Sequence, residues 1–257
     1  MSISFSAFGC KTGLIKPGDD LIGRILASVG EAGEIRDGDI IVIAESALAT
    51  AEGRVIRLSD VTPSDDALRY GERYAMDPRV AEVVISESDE VIGGIPGFLL
   101  CLKDGTLLPN AGVDGSNAPE GTIIPLPHDP NASAYRIRNE IFERTNRKVA
   151  VLVIDSRTHA MRLGVSGVTI GCSGMAVIGD CRGTKDLFGR KLMVTRRAVG
   201  DCIASAAELL MGEADEAIPV VIVRGLDNLV GEGEGIETIA PDECLFMGAV
   251  RKMERKN

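Results

Sequence analysis

The sequence predicts an α+β protein with mixed or antiparallel sheets and packed helices. Apolar runs of strand length recur at Ile40–Ala44, Val149–Ile154 and Pro219–Val223, each short for a helix. Segments with helical spacing lie between them. No regular β-α-β-α rhythm joins the two kinds of segment, which argues against a doubly wound sheet.

Taken in order, Asp19 or Asp20 is placed to cap a helix whose Ile22, Ile25, Leu26 and Val29 share a face. Asp37-Gly38-Asp39 then turns the chain into the first apolar run. Residues 63–88 carry helical spacing, with Pro63 and Pro78 near helix starts. From 91 to 125 the pattern is strands and turns: Val91-Ile92, Phe98–Leu102 and Thr122–Pro125. The stretch Pro125–Pro130 interrupts regular structure, so a weak sub-domain break falls near 126–132 within a single domain spanning 1–257. Ser133 precedes a helix running to about Asn146, with Ile137, Ile141 and Phe142 inward. The Val149–Ile154 strand is expected to end at Asp155, and an acid just past a buried strand is a frequent site address. Val168–Cys172 and Leu192–Thr195 read as further strands. Asp201 is expected to cap a helix with Ile203, Ala206, Ala207 and Leu210 facing in.

Composition narrows the function. The net charge of −10 makes nucleic acid and anionic membranes poor partners. An anionic substrate then needs a local basic pocket or bound cations. Aromatics are 4% with no Trp, so Val, Ile, Leu, Ala and Met must build the core. The six cysteines form no C-x-x-C pair. They are expected to be free, mostly buried thiols, with Cys172 and Cys202 in the core, in a reducing and cytoplasmic setting. The start MSISFSAFGCKTG lacks a leader's basic and apolar regions, and no apolar run reaches the roughly 18–20 residues of a membrane span.

The common nucleotide and hydrolase signatures are missing. There is no GxxxxGK[ST] loop. Gly171–Met175 lacks the last glycine of a nucleophile elbow, and Gly231–Gly235 fails GxGxxG. Three acids stand out instead. Asp114 sits in the small-residue loop Asn110–Asn117, Asp155 follows a buried run, and Glu213 follows Leu209-Leu210-Met211-Gly212. Hard oxygen ligands of this kind suit magnesium or manganese bridging phosphate oxygens, although each acid singly reads more simply as a cap or a solvated charge.

Seven segments, in order, carry a resemblance: Leu14–Leu21, Ala51-Glu52-Gly53-Arg54, Asn110–Asn117, Lys185–Arg190, Leu209–Glu213, Pro219–Gly225 and Gly231-Glu232-Gly233. Across nearly the whole chain the sequence resembles the coenzyme F420-0:L-glutamate ligase family. The resemblance implies a ligase-like α+β fold in an intertwined homodimer. It also implies a reaction: GTP activates the terminal carboxylate of F420-0 as an acyl phosphate, and the amine of L-glutamate attacks it to form a γ-linked amide. The implied cofactors are Mg2+ or Mn2+, with a monovalent cation such as K+ as a further expectation. Carried over by motif, the metal ligands are Asp114, Asp155, Ser156 and Glu213, with Asp114 and Asp155 catalytic. The nucleotide contacts are Thr12, Gly13, Leu14, Ile15, Ser46, Arg54, Asn117, Met211 and Gly212, with Gly212 letting backbone amides approach phosphate.

Two segments depart from the family pattern. After the first buried run the chain has Glu45 where the family has a small Ser, and Thr50 where it has a nucleotide-contacting Lys. After Asp155, Ser156-Arg157-Thr158-His159 replaces a Thr-x-Gly-Arg pattern. Two alternatives therefore stay open: a paralogue with the same amide-forming chemistry on another substrate, or a non-catalytic nucleotide- or F420-binding protein.

Overall fold

The structure, a computed structural model, describes residues 4–254, with side chains described to residue 249. The leaderless reading of the first residues, as it concerns Met1–Ile3, lies outside the described residues. The chain forms two compact units, one from residues up to 56 together with 115–236, the other from 57–114 together with 237 onward.

The first unit opens with β1 (Ser6–Cys10), α1 (Leu21–Ala27), β2 (Ile40–Ala44), α2 (Glu45–Ala51) and the two-residue β3 (Ile56–Arg57) at its boundary. The second contributes α3 (Asp65–Tyr74), α4 (Pro78–Glu87), β4 (Glu90–Ile95), β5 (Phe98–Lys103) and β6 (Thr106–Pro109). The chain returns to the first with β7 (Thr122–Ile123), α5 (Pro130–Thr145), β8 (Ala150–Thr158), β9 (Val165–Met175), β10 (Ile178–Asp180), β11 (Arg196–Ala198), α6 (Val199–Met211), β12 (Val220–Arg224) and β13 (Val230–Glu234). The final helix, α7 (Leu245–Glu254), belongs to the second unit.

The first unit is built on a six-stranded sheet ordered β1-β12-β2-β8-β9-β13. Only the β2–β8 pair is parallel; the remaining neighbours are antiparallel, so the architecture is mixed α+β. Ile40 to Ile43 are all fully buried, which is why the run shows no alternation: both faces are covered. Ile40, Val42, Leu152 and Ile154 pack with Ile203, Ala204 and Ala207 of α6. The alternate residues Ile41, Ile43, Val151 and Val153 point the other way.

A bulge interrupts the β8–β9 pairing. Val153 pairs with Gly171 but Ile154 pairs with Thr169, leaving Ile170 as an extra residue. Gly167 and Gly171 therefore face opposite sides of the sheet. A Cβ on Gly167 would lie 2.5 Å from the Ala204 carbonyl oxygen of α6, and one on Gly171 2.5 Å from the Pro130 carbonyl at the start of α5.

Several expectations are corrected by this structure. β8 does not end at Asp155; it continues to Thr158, because Asp155–Thr158 pair with Val168–Val165. α5 starts at Pro130 rather than after Ser133, since the Asp129 carboxylate accepts from the Ala132 amide and Ser133 Oγ donates to Glu52 at 2.6 Å. Phe142 and Leu210 are exposed rather than inward. No strand forms at 192–195, where Met193 and Val194 stand in solvent. Asp201 lies inside the first turn of α6 and accepts from the Thr169 amide instead of capping. Cys202 is exposed, whereas Cys10, Cys101 and Cys172 are buried free thiols. The Pro-rich stretch near 126–132 runs inside the first unit, directly into α5.

In the second unit β4, β5 and β6 form an antiparallel meander. Ser64 caps α3, and Asp77 caps α4 ahead of Pro78. Asn110, Ala111 and Gly112 are all left-handed, at φ 49°, 52° and 73°, a conformation that costs each non-glycine residue about 1–2 kcal/mol. The Asn110 side chain offsets part of this cost by accepting from the Leu99 amide at 2.8 Å. The turn ends two residues before Asp114, the half-buried last residue of the 57–114 segment of this unit.

Candidate functional site

Topology gathers the candidate residues of the first unit. β12 lies between β1 and β2 and runs antiparallel to both, so Val220 pairs with Cys10 and with Ile43. The loops after β1 and β2 therefore meet the segment entering β12. β8 runs parallel to β2, with Ala44 opposite Ile154, and brings Asp155 to the same edge.

A cavity of about 340 Å³ opens at this edge. Its walls are Gly13, Leu14 and Ile15 after β1; Ala44, Ser46, Ala47 and Thr50 at the β2–α2 junction; Asn117 and Ile124; and the segment from Met211 to Asp215 with Ala217, Ile218 and Pro219. Gly13, Asn117 and Gly212 hold left-handed backbone at φ 70°, 55° and 69°, which glycine adopts freely and Asn tolerates. The volume is in the range of small-molecule sites. The charged side chains in the wall are Glu213 and Asp215; no Lys or Arg is among the described lining residues.

Of the residues named from sequence, Gly13, Leu14, Ile15, Ser46, Asn117, Met211, Gly212 and Glu213 share this cavity. Thr12 and Arg54 do not line it. Thr12 Oγ1 donates to the Gly13 carbonyl at 3.0 Å. Arg54 donates through Nε to the Leu126 carbonyl and sits 2.8 Å from His128 Nε2. The space over Gly212 is taken by the Glu216 carboxylate, which accepts from the Ala214 amide at 2.8 Å. Thr50, buried in the cavity wall, presents a hydroxyl and a methyl group. His159 contacts Ser166 Oγ at 2.6 Å, just beyond Thr158.

Beside the cavity lies an acidic group. Ser156 Oγ lies 3.5 Å from Glu213 Oε2, to which it donates. Glu208, one helical turn before the end of α6, was not singled out by sequence reasoning. Its signal was present: it interrupts the apolar Ala207-Glu208-Leu209-Leu210 stretch, five residues before Glu213. Burial raises its carboxyl to about 7, reinforced by a hydrogen bond with the Glu213 carboxyl and by the charges of Glu213 and Asp155, with the Gly167 amide opposing. One oxygen, Oε1, is enclosed with no hydrogen-bond partner.

Arg157 is buried on β8, with Nε 3.5 Å from Asp155 Oδ2. Burial pushes its guanidinium down from its ordinary value, while Asp155, Asp201 and Glu45 push it back up. Sequence departures at 45 and 157 thus fall in one electrostatic neighbourhood.

Among the described residues no three His, Cys, Asp or Glu side chains are already arranged to hold a metal ion. The donors nonetheless fit one in kind. Asp155, Ser156 and Glu213 offer hard oxygens, with the Ser156 hydroxyl donating to Glu213 at 3.5 Å.

The comparisons with known proteins give the class of this chain: it is a ligase. The chain is a member of the F420-0:Gamma-glutamyl ligase family, whose model matches residues 9–225. It is 43% identical over 222 residues to the coenzyme F420:L-glutamate ligase of Methanopyrus kandleri, covering 86% of each chain. It is 42% identical over 214 residues to the protein of that name from Methanothermobacter thermautotrophicus, covering 82% of this chain and 85% of the relative. With the Archaeoglobus fulgidus protein it shares 40% identity over 230 residues, 90% of each chain.

Proposed function

We propose that this chain is a cytoplasmic, metal-dependent, GTP-using ligase that adds L-glutamate to coenzyme F420-0 through a γ-linkage. The γ-phosphoryl group of GTP passes to the F420-0 carboxylate, releasing GDP. The glutamate amine then attacks the acyl carbon, the C–O bond to phosphate breaks, inorganic phosphate leaves and the amine loses a proton.

The observation that carries this reading is the single cavity that collects eight motif residues from four separated segments, with the acids of β8 and α6 beside it. GTP, F420-0 and glutamate are all anionic, and the cavity wall supplies acids but no Lys or Arg. A divalent cation, Mg2+ or Mn2+, is then what lets such groups meet. Asp155, Ser156 and Glu213 of the first unit would hold it; Asp114 is kept as a proposed metal ligand on its sequence motif alone. The cation supplies charge neutralisation and orientation of the phosphate oxygens. The chain's own part is to shape a water-poor pocket and fix those ligands.

The test is direct. Purified protein incubated with F420-0, GTP, L-glutamate and Mn2+ should yield a product heavier by one glutamyl unit in mass spectrometry, and Asp114→Ala should abolish it. Absence of the product with the unaltered protein would sink the reading.

A second reading has its own support. Thr50 offers no charge to a triphosphate, and Glu45 adds an acid at the start of α2. Both features suit the same amide-forming chemistry with another acyl substrate or phosphoryl donor, and the assay repeated with ATP and other carboxylates distinguishes it. A homodimer is also part of the proposal. Met161, Leu163, Leu187, Phe188, Met193 and Val194 are solvent-exposed in two stretches of chain, surface that a second copy would cover.

A further inference from the structure

Residues 178–198 form a two-stranded arm, and the segment Lys185–Arg190, one of the seven that carry the resemblance, lies in it. β10 and β11 pair at its base, and the ladder continues outward: the Cys181 amide donates to the Thr195 carbonyl, the Gly183 amide to that of Leu192 and the Asp186 amide to that of Arg190. Asp186 closes the tip by accepting from the Phe188 and Arg190 amides at 2.8 and 2.9 Å. The arm holds six Lys or Arg and two Asp in a chain of net charge −10. Both acids are taken, Asp180 by Arg182 and Asp186 by Arg190. Lys185 and Lys191 are exposed and pair directly across the two legs. Like charges placed opposite one another repel, and a carboxylate set between them relieves this. Leu187 and Phe188 at the tip are 99% and 84% exposed. A two-stranded hairpin with its apolar side chains in water is marginal alone, so the arm is shaped to be covered. No residue of it is among the described lining residues of its own copy's cavity. The arm joins α6 at Val199, where the Gly200 amide donates to the Val177 carbonyl at 3.0 Å, whereas the cavity lies at the other end of α6, at Met211. The 13 residues of this helix separate the two by about 20 Å.

We infer that, in a dimer of this chain, each arm lies over the cavity of the other copy, and that its Lys185 and Lys191 receive the carboxylates of the amino-acid substrate there. The inference rests on the ligase reading above and names the side chains that serve one of its substrates. Charge complementarity selects the occupant: the cavity wall carries Glu213 and Asp215 and no Lys or Arg among its described residues, so it attracts a basic arm and lacks what that arm brings. A nucleotide arrives with its own cation. An acidic amino acid brings none, so its counter-charge has to come from protein. The two carboxylates of L-glutamate match two adjacent ammonium groups.

The experiment is the kinetics of ligation at varied L-glutamate. Lys185→Met/Lys191→Met should raise the KM for L-glutamate at least about tenfold, as loss of charged hydrogen bonds requires. The KM for GTP and the dimer mass should stay as they are, whereas a merely structural disturbance would move them too. Lys185→Arg/Lys191→Arg keeps both charges and should recover most of the loss. Placement across the dimer is read from a mixed dimer, purified through two different tags, of Lys185→Met/Lys191→Met with Glu213→Ala. One of its two sites joins an intact cavity to an intact arm from the other copy, so at low L-glutamate it should keep about half the rate of the unaltered protein. An unchanged KM for L-glutamate in Lys185→Met/Lys191→Met overturns the inference, as does an unaltered protein that ligates as a monomer. A mixed dimer no faster than either variant alone puts the lysines over their own copy's cavity and overturns it as well. If the unaltered protein forms no glutamyl product at all, the ligase reading itself falls and the arm's role falls with it; if it ligates and the lysine variants match it, only the arm's role is lost.

Discussion

Glu208 behaves differently from the other helical glutamates because burial and a second carboxyl raise it from 4.5 to about 7. The raised value has a definite sign. The folded protein holds a proton there that the unfolded chain releases, so stability declines as pH rises from about 4.5 to about 7 and stays reduced above that window. In metal-free buffer, Glu208→Gln should be neutral at pH 4.5. At pH 8 it should stabilise by about 1 kcal/mol, a figure discounted for the exposed part of the side chain. Urea midpoints at the two pH values check this; an equal effect at both would contradict it. Sequence patterning could not have shown the effect, because it depends on Glu213 and Asp155 approaching from elsewhere. The same limit holds for Arg157, whose charge is legible in the sequence but whose direction is set by the β8–β9 pairing.

At the scale of elements, the buried runs of β2, β8 and β12 and the Asp20 cap of α1 were legible, since each is a local signal. The polar extension of β8 through Asp155 was not, because its partners lie on β9 beyond a bulge. The apolar stretch at 192–195 misled for the opposite reason: residues that read as strand interior are exposed here. Residues named from sequence make up eight of the cavity's lining residues, but Glu208 escaped as an ordinary helical acid. The bulge also defines a prediction. Gly167→Ala forces a methyl group against the Ala204 carbonyl, so α6 must shift away from β9. A loss of about 1–3 kcal/mol in unfolding free energy is expected, with a matching loss of Mn2+ affinity because Glu213 follows α6. Retained affinity in a destabilised variant would separate the helix from the site.

For the whole molecule, the exposed apolar stretches around 161–163 and 187–194 bear on assembly. Light scattering should give a mass twice the 27.2 kDa of one chain. The double substitution Leu187→Glu/Phe188→Glu should weaken association by at least about tenfold, as loss of buried apolar surface requires. A monomeric parent protein would remove the dimer from the reading. The cavity wall, finally, has a consequence for the order of events. With no Lys or Arg among the described residues of its wall, the cavity has little to offer a bare nucleotide, so the proposed function requires nucleotide to enter as its metal complex. On that proposal, spent diphosphate would be retained only as long as its ion remains. Release of product becomes a question of cation departure, and the pace of turnover should follow the free concentration of that ion rather than the affinity of any side chain for phosphate.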